Sequence, residues 1–285
     1  MSNLWEETSF IMKKYHIKAN KSLGQNFLID EQVIEKIVNS SKISKEDCII
    51  EIGPGLGTLT KELLEQAGKV ISIELDKKMI PILKDRFSLY KNFELINNDV
   101  LKVDLKQIIQ NEKERGFKEV KIVANLPYYI TTPIIMKLLE EKLDLESITV
   151  MVQKEVADRL IAIPSDKETG AITYSVYYYA VGEEILEVPK SSFIPEPEVT
   201  SKVIKLNIRK EPPVKVENAE VMFRIIKCAF MQRRKTLLNA LVNTKVFLNK
   251  EEGIKILKKL GLKEDVRAEK LKIEDFAKIT DCILK

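Results

Sequence analysis

The sequence predicts an α/β protein, an open nucleotide-binding sheet followed by a small helical domain. Three observations carry this. Cys48-Ile49-Ile50-Glu51-Ile52 is an apolar run of strand length that feeds into Gly53-Pro54-Gly55-Leu56-Gly57 and then a helical pattern through Leu59, Leu63 and Leu64. Strand, glycine turn and helix make the opening unit of a nucleotide-binding sheet. Three further apolar runs end in turn or polar residues, at the edge where open α/β sheets hold ligands. Beyond Glu211-Pro212-Pro213, a boundary signal, the pattern is helical throughout.

The chain begins with a helical pattern over Leu4 to Met12, then a basic stretch with Lys13, Lys14, Lys18 and Lys21. Ser22-Leu23-Gly24-Gln25-Asn26-Phe27-Leu28 is rich in turn residues and amides. Asp30 is placed to cap a helix over Glu31 to Ser40, whose Val33, Ile34, Ile37 and Val38 share a face. The glycines that follow the first strand let a ligand approach the backbone. Their spacing is G-x-G-x-G and not the dinucleotide G-x-G-x-x-G. Alone, the turn is equally compatible with a tight bend that holds no ligand.

The second strand, Lys69 to Ile73, ends in Glu74-Leu75-Asp76. An acidic residue there, about 20 residues past the glycines, is placed to accept from ribose hydroxyls. A helix-capping or surface carboxylate is the plainer reading of Glu74 without the glycine turn. The third strand, Phe93 to Ile96, ends in Asn97-Asn98-Asp99, and Asp99 can accept from the amino group of an adenine. The fourth run, Val120 to Ala124, ends in Asn125-Leu126-Pro127-Tyr128. That turn suits chemistry on an exocyclic amine. The Asn125 side-chain oxygen accepts one N–H, a neighbouring carbonyl such as that of Leu126 accepts the other, and the nitrogen lone pair is aimed at an electrophile. Pro127 stiffens the turn and Tyr128 offers a flat face for a base. Four residues by themselves fit an ordinary Asn/Pro turn as well; four aligned strand ends weigh more.

Thr132 to Glu140 reads as a helix, Ser147 to Val152 as a fifth strand and Lys154 to Ile161 as a short helix. The aromatic stretch Thr173 to Ala180 fits strand or helix, with core packing as its role. Glu184 to Val188 and Val199 to Ile208 read as two strands flanking Ser192 to Glu198, a loop stiffened by two prolines that can present Phe193 to a pocket. Helices are expected over Ala219 to Met231, Lys235 to Val242, Lys250 to Leu260 and Ile273 to Leu284. The domains are 1–209 and 210–285.

Composition bounds the function. There is no apolar run of about 18 residues to span a membrane and no signal-peptide core at the N-terminus. Cys48, Cys228 and Cys282 are dispersed, and the chain has 1 His, so neither a metal cluster nor a zinc mechanism is indicated. The net charge of +4 is uneven. Residues 209–285 carry 19 Lys and Arg against 11 Asp and Glu, a net of +8; residues 1–208 carry 28 against 32, a net of −4. Such asymmetry favours a polyanionic partner for the C-terminal part, although a solvated surface also produces it.

Ordered blocks along almost the whole chain carry a family resemblance: KSLGQNFL at 21–28, EIGPGLGTLT at 51–60, ELD at 74–76, NND at 97–99, NLPYYIT at 125–131, FIPEPEVTS at 193–201, FMQRRKTLLNAL at 230–241 and RAEKLKIEDF at 267–276. The sequence resembles the ribosomal RNA adenine N6-dimethyltransferases, in their bacterial small-subunit branch. The resemblance implies an S-adenosylmethionine-dependent, Rossmann-like methyltransferase with a mostly parallel seven-stranded sheet, the last strand antiparallel, and a small all-helical C-terminal domain. It implies dimethylation of N6 on two adjacent adenosines near the 3′ end of small-subunit ribosomal RNA, with S-adenosylhomocysteine as product and no metal. The partner it implies is that RNA within an assembling small subunit, and the enzyme is a cytoplasmic monomer with a role in ribosome biogenesis. Carried over by motif, Asn26 and Leu28 close the cofactor site, Gly53 and Gly55 line it, Glu74 takes the ribose and Asp99 faces the adenine. Asn125 lies between cofactor and substrate, with Leu126, Pro127, Tyr128 and Phe193 around the target base. Arg233, Arg234 and Lys235 are assigned to RNA phosphates.

The chemistry stands apart from the resemblance. Adenine N6 is a poor nucleophile because its lone pair is delocalised, and acceptors at Asn125 and the Leu126 carbonyl stabilise the charge that develops on it. Methyl transfer needs alignment at roughly 3–3.5 Å and no covalent intermediate. Unstacking the target base costs a few kcal/mol, and stacking on Tyr128 and Phe193 returns about 1–3 kcal/mol per base. The rivals are a non-catalytic RNA-binding assembly factor, an NAD-linked oxidoreductase, and a methyltransferase acting on large-subunit RNA. The glycine spacing disfavours the second. Leu23-Gly24-Gln25-Asn26 and Gln232-Arg233-Arg234-Lys235 fit the small-subunit branch better than the third.

Overall fold

The computed structural model describes residues 4–20, 23–232 and 234–284. These fall into two compact units, one of residues 1–157 and 183–208, the other of 158–182 and 209–285.

The first unit is built on a seven-stranded sheet. In chain order up to residue 208, and counting α8 of the second unit, helix α1 (Leu4–Lys14) precedes the short strand β1 (Phe27–Leu28), α2 (Glu31–Ser41), β2 (Asp47–Ile52), α3 (Thr58–Gln66), β3 (Lys69–Glu74), α4 (Met79–Arg86), β4 (Phe93–Asn97), α5 (Leu105–Glu114), β5 (Glu119–Asn125), α6 (Thr131–Glu140), β6 (Ser147–Gln153), α7 (Lys154–Ile161), α8 (Ala171–Tyr179), β7 (Ala180–Val188), β8 (Phe193–Ile194) and β9 (Ser201–Ile208). The sheet order is β4-β3-β2-β5-β6-β9-β7. The pairs β2–β3, β2–β5, β3–β4 and β5–β6 are parallel, and β9 runs antiparallel to β6 with Ser201 opposite Gln153.

The strands at the centre are apolar because both faces are covered: every residue of β2 is buried, as are Val120 to Ala124 of β5. The α2 helix contributes its buried face of Val33, Ile34, Ile37 and Val38, and Asp30 caps it by accepting from the N–H groups of Gln32 and Val33. At the opposite edge of the sheet from the glycine turn, the buried Lys121 ammonium lies 2.8 Å from Asp47 and donates to the Lys42 carbonyl at 2.7 Å. Pairing and hydrogen bonding together make that burial tolerable.

Neither α4 nor α5 is expected from the sequence pattern. The α4 helix carries Pro81 in its first turn, where a missing N–H costs nothing. The α5 helix buries few apolar side chains, with Leu105 and Ile109 beside the charged Glu112. Glu112 accepts from Lys69 at 2.8 Å and from Arg115 at 2.6 Å.

The second unit contains α9 (Ala219–Met231), α10 (Leu237–Asn243), α11 (Lys250–Lys259) and α12 (Ile273–Leu284). It also contains the ambiguous aromatic stretch, which is the helix α8. Tyr174 is its anchor, with its ring edge-on to Phe276 at 5.0 Å and its hydroxyl donating to the Leu271 carbonyl at 2.6 Å. This corrects the domain division expected from sequence: the 158–182 segment groups with the helices that follow residue 209. The aromatic face of α8 finds its core among those helices, whereas the proline signal near 212 marks only the last of the chain's three crossings.

Candidate functional site

The glycine turn shapes a cleft at the carboxyl ends of β2, β3, β4 and β5. Strand order reverses on either side of β2, which is where open sheets leave a crevice. The cleft is open to solvent and has a cavity volume of about 100 Å³. Of the residues predicted for the site, Asn26, Leu28, Gly53, Gly55, Glu74, Asp99, Asn125, Leu126, Pro127 and Tyr128 all line it. They come from four strand ends and from the segment before α2.

Glycine is required at two places in the turn. Gly55 has φ +58°, and a Cβ there would stand 3.3 Å from the Phe27 ring. Gly57 has φ +82°, and a Cβ would come within 2.5 Å of Phe87. The first leaves room for the Phe27 ring against the turn; the second lets α3 pack beside α4.

Glu74 is buried at the end of β3. Its carboxylate accepts from the Gly55 N–H at 3.1 Å and the Asp76 N–H at 2.7 Å. Burial raises its pKa, and those backbone bonds work against the rise. A carboxylate has about four lone-pair sites, so two acceptor positions remain for a pair of adjacent hydroxyls. Asp99 accepts from the Leu101 N–H through Oδ1 at 3.0 Å. Two carboxylates beside a glycine turn fit the adenosine part of S-adenosylmethionine, which presents ribose hydroxyls and an exocyclic amine as donors.

Asn125, the last residue of β5, donates from Nδ2 to the Asn26 carbonyl at 3.4 Å. That contact turns its Oδ1 the other way, as an acceptor. Leu126 is anchored by its N–H to the Met151 carbonyl at 3.1 Å. Tyr128 is oriented by a 2.6 Å hydrogen bond between its hydroxyl and Ser201 Oγ. Burial raises the Tyr128 pKa, against the effect of that bond.

Phe193 is not at the site. It is 2% exposed and belongs to the hydrophobic core of the first unit. The reason is a long-range pairing: Phe193 and Ile194 pair antiparallel with Leu28 and Phe27, and that ladder holds the Phe193 ring in the core. Of the basic trio, Arg234 and Lys235 are exposed in the second unit, and Arg233 lies outside the described residues.

Four cleft residues escape the sequence reading. Gln25 bonds Asp76 from 51 positions away in sequence. Phe27 packs on the glycine turn. Tyr129 is 51% exposed at the mouth, and burial together with Asp99 and Glu74 raises its pKa. Glu51 is fully buried beneath the turn, where Thr60 and Ser72 each donate to it at 2.7 Å. The doubled tyrosine and the amide run were visible signals, but their partners are set by the fold.

Comparison with known proteins agrees with this geometry. The family model described as ribosomal RNA adenine dimethylase matches residues 16–285. A relative named ribosomal RNA small subunit methyltransferase A, from Alkaliphilus metalliredigens, is 50% identical, with 96% of this chain and 95% of the relative covered. The protein of that name from Clostridioides difficile is 48% identical, with 97% and 94% covered. Among solved structures, a dimethyladenosine transferase from Plasmodium falciparum superposes with a TM-score of 0.72 at 27% identity, over 89% of this chain and 95% of that one. The 23S rRNA methyltransferase ErmE shares the fold, with a TM-score of 0.66 at 22% identity over 91% and 100%. With the sheet order, the cleft and these likenesses together, the chain belongs to the ribosomal RNA adenine dimethylase family.

Proposed function

We propose that this chain transfers methyl groups to N6 of adenosines in small-subunit ribosomal RNA, dimethylating two adjacent adenosines near its 3′ end. The observation that carries the reading is Asn125, which lines the cleft together with Leu126 and is tied to the Asn26 carbonyl through Nδ2, so that its Oδ1 is left as an acceptor. Two fixed acceptors at that spot hold both N–H bonds of an exocyclic amine and favour its charged, tetrahedral form. Bound S-adenosylmethionine supplies an electrophilic sulfonium methyl. Glu74, Asp99 and the Gly53–Gly55 backbone would hold its adenosine, and Asn26 and Leu28 would close over it. Tyr128, held by Ser201, offers the face on which the flipped base stacks. Arg234 and Lys235, with Arg233, contact phosphates of the RNA. The substrate is the RNA within an assembling small subunit, and the enzyme works as a cytoplasmic monomer.

The test is single-turnover methylation of small subunits that lack the modification, with the modified nucleotides mapped afterwards. Wild-type protein is expected to place two methyl groups on each of two neighbouring adenosines. Asn125→Ala is expected to lower the rate by on the order of 10²–10³ while leaving RNA affinity nearly unchanged. Methylation confined to large-subunit RNA, or a near wild-type rate for a folded Asn125→Ala, would overturn the reading.

A further inference from the structure

Residues Leu23–Leu28 run along the cleft and are held at each step. Gly24 lies against Tyr129, where a Cβ would stand 3.4 Å from the ring. The Asn26 carbonyl accepts from Asn125, Phe27 lies on Gly55, and Phe27 and Leu28 pair with Ile194 and Phe193. Gln25 ties the segment to the turn that follows β3. Its Nε2 donates to Asp76 Oδ2 at 2.8 Å, and its Oε1 accepts from the Asn20 N–H at 2.8 Å. The other Asp76 oxygen, Oδ1, accepts from the Lys78 N–H at 3.0 Å. The Asp76 N–H is donated to Glu74 at 2.7 Å. The polarity of the Gln25 amide is thus set at both ends, oxygen toward Asn20 and nitrogen toward Asp76.

We infer that Gln25 is a positioning residue for the cofactor, locking Leu23–Leu28 to the end of β3 so that Asn26 and Leu28 are fixed beside Glu74. This rests on the cofactor reading above. Gln25 lines the cleft, but both of its polar atoms are engaged by protein. Its contribution is the geometry of its neighbours, two of which are the residues assigned to closing the site. A charge-assisted bond between a neutral amide and a carboxylate is also the type whose loss is felt most.

The polarity supplies the test. Gln25→Glu sets a carboxylate against the Asp76 carboxylate. Asp76→Asn, its oxygen still held by the Lys78 N–H, turns an amide donor toward the Gln25 donor. The two substitutions together reverse the hydrogen bond: the introduced amide donates to the introduced carboxylate, which still accepts from Asn20. Calorimetry with S-adenosylhomocysteine is expected to show each single variant weakened about tenfold or more and the double variant near wild type. Steady-state kinetics should show the single-variant loss in KM for the cofactor and not in kcat. Hydrogen–deuterium exchange over 23–28 should be faster in the single variants and restored in the double. Should Gln25→Glu fail to fold, Gln25→Ala replaces it, with a smaller loss in the same direction. Single variants at wild-type affinity and exchange, or a double variant no better than the weaker single, would overturn the inference. A wild-type protein that binds no S-adenosylhomocysteine overturns the cofactor reading instead, and the exchange comparison then decides the role of Gln25 by itself.

Discussion

Glu51 shows what a single buried carboxylate does to this fold. It sits near the end of β2, inside the sheet and beneath the glycine turn, with Thr60 and Ser72 donating to it. Loss of hydration raises its pKa from 4.5 to about 7, and the two hydroxyl donors hold the rise down. The folded protein therefore binds this proton more tightly than the unfolded chain does. Stability from this group is fully present below 4.5 and is lost as the pH rises to about 7. Glu51→Gln keeps the shape and removes the titration. Urea unfolding across this range is expected to show a shallower fall in stability for Glu51→Gln than for wild type. Parallel curves would mean that Glu51 is ionised throughout. Asn125 differs in kind: its value lies in an acceptor aimed by a hydrogen bond to the other end of its own amide.

At the scale of elements, the two-residue ladder of β1 and β8 connects the core to the cleft. Leu28 lines the site, and Phe193, the residue opposite it in the ladder, is buried in the core that Leu28 also joins. Phe193 accordingly acts through packing. Phe193→Ala is expected to cost about 3–5 kcal/mol of stability, seen as a lower urea midpoint. Cofactor binding should weaken with it, because the ladder positions Leu28. A stability loss below about 1 kcal/mol with a large loss of base capture would instead return Phe193 to the pocket. The segment after β5 has its own brace. Tyr128 is held to the start of β9 by Ser201, so the turn that carries Asn125 is tied across the sheet as well as along the chain.

At the scale of the whole molecule, charge separates the parts of the chain. The net +8 of residues 209–285 includes positions already in use, such as Arg209, which donates to the carbonyls of Tyr177 and Ala180 at 3.1 and 3.2 Å. Arg234 and Lys235 are exposed and sit between α9 and α10. Replacing Arg233, Arg234 and Lys235 together with Ala is expected to weaken RNA binding and flatten its salt dependence. The log–log slope should fall by about 0.9 or less per lost phosphate contact. Filter binding at several salt concentrations reads the slope directly; an unchanged slope would move the RNA contact elsewhere, for instance to Lys13 and Lys14.

The sequence by itself determined the sheet and the face of it that carries the cleft. Parallel strands buried on both sides read as unbroken apolar runs, and their carboxyl ends read as the polar or glycine residues that interrupt them. The cleft positions of Gly53, Gly55, Glu74, Asp99 and Asn125 were legible because each ends a strand or forms the turn after one, whereas those of Asn26 and Leu28 came only with the family resemblance. Only the tertiary structure decided the rest. Phe193 is in the core because it pairs with Leu28 from far along the chain. Gln25 matters because Asp76 lies beside it in space, and the aromatic helix α8 joins the C-terminal helices because its apolar face packs there. The α5 helix escaped because a helix that buries a charged Glu112 beside two apolar residues leaves little periodic signal. Period and turn chemistry are written in neighbouring residues. Which side chain meets which across the molecule is set by how the elements pack, and no local pattern records it.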